Sequence, residues 1–450
     1  MPASGAATSI GYAKGAHPSG LPAVIEQLNP IYQSWSYGPG EGVWMGIAPA
    51  TAATWLSGHN PYGGACWSEY ERKWMVIGGG HVAACVPVPF AFNLSTLAWE
   101  WLATPLPSDG FSQLNGAGAL AASVATFYPS SQYDTSWGEW RGDYSGWPNG
   151  LSQPGKIFPE VGHAYTTLMW IPGPVHGNVK GAILYISNES GRTTGGNIDA
   201  NHYFDLDTNT FVRTVNKRTN IHNAAGSAIY HPGVNKAFAM THVSSSIKNT
   251  LDVYTPSTKT WGVTTSTNFV SLPIEHGGFG AFISASLPTG LLLQFCPERI
   301  DGTAAYDGVR QRVYAVDAAT AAAGSHTWSI LNVSATSWPI RYDGTIATIG
   351  WAWCSDMNCF YAIDGIDNST TLWKLSPPAG ASTLTQYLNL TWSITTETLS
   401  SPIVNKNYGG LSTGAQDIYN RLRYDTTSKC LLFVQNWYEG KVQAIRPHGL

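Results

Sequence analysis

The chain has 450 residues, of which 12% are charged, and a formal net charge of −4. Ordinary domains carry about 25% charged residues, and phosphate recognition needs clustered Lys and Arg, so a nucleic-acid partner is excluded. The 48 Gly, 19 Trp and 22 Tyr fit an all-β chain with tight turns, not a helical enzyme or a disordered polymer.

The N-terminal stretch Met1–Ile10 lacks a basic start followed by an apolar core, so no signal peptide is expected. Either the mature form is present, or the protein leaves the cell by another route, such as release in a phage particle at lysis. No stretch approaches the ~20 apolar residues of a membrane helix, so no membrane span is expected.

Six segments then read as strand, polar turn, strand. They are Cys66–Ile77, Thr167–Ile186 with a longer turn, Ala228–Ala239, Ala281–Gln294, Gly350–Ala362 and Leu422–Phe433. Each has apolar or aromatic runs bounded by Pro, Gly, Asn or Asp, the hairpin signal. A third strand is expected at Pro89–Phe92, Leu251–Tyr254, Arg312–Val316, Thr371–Lys374 and Lys441–Ile445. An outer strand with Trp99, Phe211, Trp261, Trp328 or Trp392 follows most of them, and these aromatics read as blade packing.

One phrase recurs. Phe92–Trp99, Phe204–Phe211 and Tyr254–Trp261 each place two aromatics seven positions apart around a polar turn containing Thr. A small β unit repeated at long intervals stacks sheets in a ring. The expected fold is an all-β propeller of four-stranded blades, six by the hairpin count and seven if segment 102–160 hides another. That segment, rich in Gly, Ser and Pro, reads as a long insertion on one face, and long insertions are often functional.

The sixth unit ends at Leu450 without a fourth strand. Residues 1–60 are expected to supply it, from Ile31–Trp35 or Val43–Met45, which would close the ring and protect a sheet edge. Residues 61–450 then form the propeller.

The six cysteines are dispersed. Cys354 with Cys359 and Cys66 with Cys85 are candidate disulfides; buried free thiols are the other reading.

Repeat topology places the start of each first strand and the end of each second strand on one face. His163, His222 and His276 map to first-strand starts, with His59 before the first unit. His81 and His242 map to second-strand ends, together with Glu298, Arg299 and Asp364. Histidine shuttles protons near neutral pH and ligates metals. His222, His242 and His276 are therefore candidate ligands for a divalent metal, zinc, calcium or manganese. The bland alternative is that each His only bonds loop carbonyls. Tyr165 lies two positions from His163 and on a strand would share its side. Trp137, Trp140, Trp147, Trp437 and Tyr438 lie in loops, where they either stack on sugar rings or pack the loop.

Gly78–Gly80 closing a strand, followed by Phe92–Trp99, resembles the kelch-type propellers from about residue 60 onward. No other blade has the full glycine triplet. Gly80-His81 with Gly162-His-Ala-Tyr165 is similar to kelch proteins encoded in phage genomes and to propeller polysaccharide lyases such as the ulvan lyases. The lyase resemblance implies a His or Tyr base, a Tyr acid and an Arg that neutralises a uronate. Carried onto this chain, His81 or His163 is the base, Tyr165 the acid and Arg299 the carboxylate partner. No cysteine matches the copper site of the kelch propeller galactose oxidase.

Two functions are expected from these observations. The first is a phage virion protein, tail- or fibre-associated, that binds a bacterial surface polysaccharide during host adsorption, with other virion proteins as partners. The second is a polysaccharide lyase that cleaves a uronate-containing glycan by β-elimination. Both place the protein in a virion or outside the cell.

Overall fold

A computed structural model describes residues 8–9, 65–77, 89–95, 98–102, 133–134, 136–137, 139–141, 156–159, 167–186, 201–218, 224–242, 250–268, 278–299, 309–334, 350–363, 369–399, 421–434 and 442–450. Strand β1 (Thr8–Ser9) stands apart in sequence from the first blade, β2 (Cys66–Ser68), β3 (Lys73–Val76), β4 (Phe90–Asn93) and β5 (Ala98–Trp101). A separate three-stranded sheet follows: β6 (Tyr133–Asp134), β7 (Glu139–Arg141) and β8 (Ile157–Pro159). Blade 2 is β9 (Met169–Ile171), β10 (Ala182–Ile186), β11 (Asn201–Asp205) and β12 (Thr210–Arg213). Blade 3 is β13 (Ala224–His231), β14 (Lys236–His242), β15 (Thr250–Thr255) and β16 (Thr260–Ser266). Blade 4 contains β17 (Gly278–Phe282), β18 (Leu291–Arg299) and β19 (Val309–Asp317); next, β20 (Ser325–His326) joins blade 3 beside β16, and β21 (Ser329–Ile330) completes blade 4. Blade 5 is β22 (Gly350–Cys354), β23 (Cys359–Ile363), β24 (Thr371–Ser376) and β25 (Ser393–Thr398). Blade 6 is β26 (Leu422–Asp425), β27 (Cys430–Val434) and β28 (Val442–Arg446), and β1 is its outer strand.

The innermost strands β2, β9, β13, β17, β22 and β26 lie side by side in order, so the six sheets form a ring. This is a six-bladed β-propeller. The strands of 133–159 do not form a seventh blade; their sheet sits against β12 at the outer edge of blade 2. The strand that pairs with β28 is Thr8–Ser9, in register with Ile445 and Arg446. The Trp-bearing stretches 31–35 and 43–45, expected to supply that strand, lie outside the described residues.

Local chemistry explains the hairpins. The turns 69–72, 232–235, 355–358 and 426–429 join first to second strands, and 206–209 and 256–259 join third to fourth. Each ends on a left-handed residue: Arg72, Asn235, Asn358, Lys429, Asn209 and Lys259, all with φ between 48° and 58°. Asn tolerates that region best among non-glycine residues. The recurring aromatic phrase is the third-to-fourth hairpin. Phe92 pairs with Trp99, Phe204 with Phe211 and Tyr254 with Trp261, each directly across the ladder. The Phe204–Phe211 and Tyr254–Trp261 rings meet at 5.0 and 5.1 Å. Such cross-strand pairs contribute roughly 0.2–1 kcal/mol each.

The blades pack face to face, so both sides of a strand are buried. Leu292 joins Phe238, Leu251, Tyr314 and Trp328 between blades 3 and 4, while Leu291 and Leu293 join Phe295, Trp351 and Trp392 between blades 4 and 5. Successive side chains point to opposite faces, which is why Leu291-Leu-Leu293 reads as an unbroken apolar run. The same double burial accounts for the low charge content. Blades 1 and 2, 2 and 3, and 5 and 6 share similar apolar clusters. At the seam between blades 6 and 1 the Arg72 guanidinium meets the fully buried Asp425 carboxylate at 2.8 Å.

Cys66, Cys354, Cys359 and Cys430 are buried free thiols. Cys354 and Cys359 stand opposite each other on β22 and β23 without a bond. Burial pushes the Cys66 and Cys359 thiols up to about 12, which makes them inert apolar fillers at neutral pH. Cys85 lies outside the described residues.

Candidate functional site

Antiparallel pairing fixes two faces. The four-residue turns lie on one. The connections 78–88, 187–200, 219–223, 243–249, 269–277, 300–308, 335–349, 364–368, 400–420 and 435–441 depart from the other, and they lie outside the described residues. His242, the last residue of β14, is in register with Ala224, at the start of β13. Arg299, the last residue of β18, is in register with Val309. Both therefore end on this second face, as the repeat topology expects. Past Phe295, the partner of Gly278, β18 and β19 continue as a two-stranded ribbon to Arg299.

His59, His81, His163, Tyr165, His222, His276, Asp364, Trp147, Trp437 and Tyr438 lie outside the described residues. Trp140 is in β7, in register with Tyr133 and Phe158. Among the described residues no group of three His, Cys, Asp or Glu side chains is arranged to hold a metal ion. No helix of the described residues is long and apolar enough to cross a membrane.

Trp137 is the candidate whose side chain is described, and it is partly exposed at the tip of the β6–β7 hairpin. The turn is set by Asp134, whose Oδ1 accepts from the Ser136 amide at 3.0 Å and its hydroxyl at 2.6 Å. The Trp137 amide donates to the Asp134 carbonyl at 3.1 Å. This short Asx-type turn projects the indole toward blade 2.

A polar network anchors the hairpin there. His202 and Arg213 are partners across β11 and β12. The His202 Nε2 lies 2.5 Å from Glu139 Oε2, with both side chains fully buried. Arg213 donates from Nε to Glu139 Oε1 at 2.9 Å and from Nη2 to Asp134 Oδ2 at 2.8 Å, and a second Nη2 bond reaches Glu139 Oε1. The Arg213 Cζ is 4.9 Å and the Lys217 Nζ 5.1 Å from the Trp137 ring centre, with the His202 ring at 6.3 Å.

Burial opposes ionisation of Glu139, but the His202 and Arg213 hydrogen bonds hold its carboxyl below the usual range. Burial outweighs Glu139 at His202 and keeps the imidazole pKa low. Among the described residues the buried Nδ1 of His202 has no hydrogen-bond partner, so the ring is neutral with its proton on Nε2, donating to Glu139. The network is closed to solvent at its centre. Its chemical role is to fix Arg213 and Trp137, not to move protons. What it presents is a partly exposed indole with two cations at its ring. Lys217 has no ion-pair partner among the described residues.

Glu139, His202, Arg213 and Lys217 are not among the residues singled out in the sequence. A signal for one pair is present: extending the Phe204–Phe211 register by two positions brings His202 opposite Arg213. Nothing local links either to Glu139, 63 residues from His202.

No family model matches the chain. No curated protein matches it. Solved structures do match. An auxiliary nutrient binding protein from Bacteroides ovatus is 11% identical, over 87% of this chain and 70% of its own, with a TM-score of 0.41. The GH74 enzyme of Niastella koreensis is 11% identical, over 86% of this chain and 46% of its own, at 0.37. The oligogalacturonate lyase of Vibrio parahaemolyticus is 10% identical, over 87% and 90%, at 0.36. This chain thus spans less than half the length of the GH74 enzyme.

Proposed function

We propose that this propeller binds an acidic polysaccharide, with Trp137, Arg213 and Lys217 forming one contact surface on the rim of blade 2. The observation that carries this reading is the indole–cation cluster: a partly exposed Trp beside an ammonium that has no acidic partner among the described residues. A sugar ring offers apolar C–H faces to an indole, and a uronate carboxylate pairs with an ammonium or guanidinium. The net charge of −4 opposes an anionic partner only weakly, since salt screens exposed charges beyond ~8 Å. Trp140 on β7 and Trp437 with Tyr438 extend the same proposal to further sugar contacts.

Trp137→Ala is expected to weaken binding of a polyuronate about 30-fold, the ~2 kcal/mol of an anchoring Trp. Lys217→Ala is expected to weaken it about fivefold and to flatten its salt dependence. Titration calorimetry at two salt concentrations checks both. Unchanged affinity in both variants would sink the rim as a binding surface.

The finer setting of this proposal is a phage particle, tail- or fibre-associated, with a bacterial surface glycan as target. Low charge, β-rich composition and the resemblance to phage-encoded kelch proteins support it. Proteomics of purified particles tests it, with absence of the chain as the adverse result.

A second reading is β-elimination on a uronate glycan. The end of β18 at Arg299, on the face of first-strand starts, favours it. In this reading His81 or His163 removes the proton beside the uronate, Tyr165 protonates the leaving oxygen and Arg299 holds the carboxylate. His222, His242 and His276 would hold a divalent metal. Incubation with acidic polysaccharides would then raise absorbance in the unsaturated-uronate band. Retained binding with no absorbance change across a broad panel would remove it.

A further inference from the structure

The chain leaves blade 2 along residues 214–218, and this strap is fastened to two blades. On blade 2 the Thr214 amide donates to the Asn201 carbonyl at 3.1 Å. The Thr214 hydroxyl sits between the Asn201 and Asn216 carbonyls, at 3.0 and 2.7 Å. On blade 3 the Val215 amide donates to the Lys259 carbonyl at 2.8 Å. The Asn216 side chain then grips the backbone of Trp261, in the outer strand β16. Its Nδ2 donates to the Trp261 carbonyl at 2.7 Å, and its Oδ1 accepts the Trp261 amide at 2.6 Å. One side-chain amide thus replaces a rung of a β-ladder and covers the edge of the next sheet. Arg218 follows, buried, with Nη1 3.5 Å from the buried Asp252 carboxylate and Cζ 5.7 Å from the Trp261 ring centre.

Lys217 lies between these two anchors, and its ammonium reaches the Trp137 ring. Trp137 itself is carried by the hairpin bonded to His202 and Arg213 of blade 2. The indole is therefore held from blade 2, and the ammonium from a strap fastened to blade 3. A lysine has a long, freely rotating stem, and fixing it before a ligand arrives lowers the entropy lost on binding. The same amide grip recurs one blade on, where Asn268 Nδ2 donates to the Trp328 carbonyl and Oδ1 accepts the Trp328 amide, both at 2.9 Å. The grip is thus a repeated seam fastening, and at Asn216 it adjoins the binding lysine.

We propose that Asn216 is a positioning residue of the rim site: by gripping Trp261 of blade 3 it holds Lys217 at the Trp137 ring, so the site is built across the seam between blades 2 and 3. This rests on the reading of the rim as a polyuronate surface.

The test uses the full chain, with a polyuronate as ligand, by calorimetry at two salt concentrations. Asn216→Ala is expected to weaken binding about threefold and to flatten its salt dependence, because the charge remains but is no longer held in place. The double variant Asn216→Ala/Lys217→Ala is expected to bind no more weakly than Lys217→Ala alone, as two residues acting through one contact do. Asn268→Ala, which breaks the equivalent grip between blades 3 and 4, is expected to bind as wild type. Additive losses in the double variant, or an equal loss in Asn268→Ala, would overturn the positioning role. A measurement without ligand separates this role from the binding reading. The amines are reductively methylated with a carbon-13 label, which keeps their charge, and the Lys217 signal is assigned by its loss in Lys217→Ala. Its methyl shift is expected to depend on the Trp137 ring, to move toward that of an exposed lysine in Asn216→Ala, and to stay in place in Asn268→Ala. A Lys217 shift insensitive to Trp137→Ala or to Asn216→Ala would overturn the proposal whatever the ligand does. The full set of shifts with no polyuronate binding would support the positioning and remove the binding reading alone. If Asn216→Ala does not fold, Asn216→Ser, which keeps one polar atom, takes its place with the same readouts.

Discussion

Glu139→Ala is expected to destabilise the protein by about 4 kcal/mol, the magnitude for removing one partner of a buried charge network. The carboxylate is fully buried and receives hydrogen bonds from His202 and Arg213. Without it neither ring nitrogen of the buried His202 has a partner among the described residues, since Nδ1 has none there already. Arg213, whose side chain is 36% exposed, keeps Asp134 and can rehydrate, so the larger share of the loss falls on the imidazole. The loss has a direction in space. Glu139 ties the β6–β8 sheet to blade 2, so faster amide exchange is expected in residues 139–141 and 157–159 before the blades themselves open. Polyuronate binding should fall at least as far as in Trp137→Ala, because the hairpin that carries Trp137 loses its anchor. Glu139→Gln keeps the shape and loses the charge, and is expected to fall about midway. Denaturant unfolding with amide exchange measures both quantities; a stability change under ~1 kcal/mol would show that the network is not what holds the sheet.

The second large effect is acid sensitivity. His176, in the one-turn helix α1 (Gly173–His176), His231 at the end of β13 and His326 in β20 are all 0–1% exposed. Burial lowers each to about 4; at His176 the nearby Lys259 adds to it. His231 accepts the Gly233 amide at Nδ1, His326 faces Thr264 Oγ1 at 3.1 Å, and His176 packs edge-on to Tyr203 at 4.6 Å. In the unfolded chain these groups titrate near 6.5. Between pH 6.5 and 4 the unfolded state therefore binds protons that the folded state refuses. Stability is fully present above 6.5 and falls as the pH drops toward 4. At pH 5 each group accounts for about 2 kcal/mol and the three together for about 5–6. That is comparable to the whole stability of many domains, roughly 5–15 kcal/mol. Urea unfolding at pH 7 and pH 5 measures the difference. A loss under ~1 kcal/mol, or an equal loss in a variant with all three histidines replaced, would contradict the assignment.

These three histidines are not the ones the repeat pattern assigned to the face of first-strand starts. His231 sits at the opposite end of its strand, beside the 232–235 turn, and all three are neutral packing groups. Position along the hairpin separates the two sets in the sequence. Burial does not, because it depends on which blade lies alongside.

The amino-acid sequence by itself determined the blade. Hairpin signals, left-handed turn residues and aromatics seven apart are local, and a β-ladder converts that spacing directly into cross-strand pairs such as Phe204 with Phe211. Six such units with apolar runs buried on both sides leave a ring as the way to cover every face. The tertiary structure alone decided how the ring closes and what sits on its rim. The closing strand is the dipeptide Thr8–Ser9, which bonds through its backbone and carries no side-chain signature. The Glu139–His202–Arg213 network joins a hairpin to a blade across 63 and 74 residues, and Arg72 meets Asp425 across 353 residues only once blade 6 is set against blade 1. Local spacing specifies which residues pair within a sheet. Which charges lose their water, and which find a partner, is fixed only when distant sheets meet.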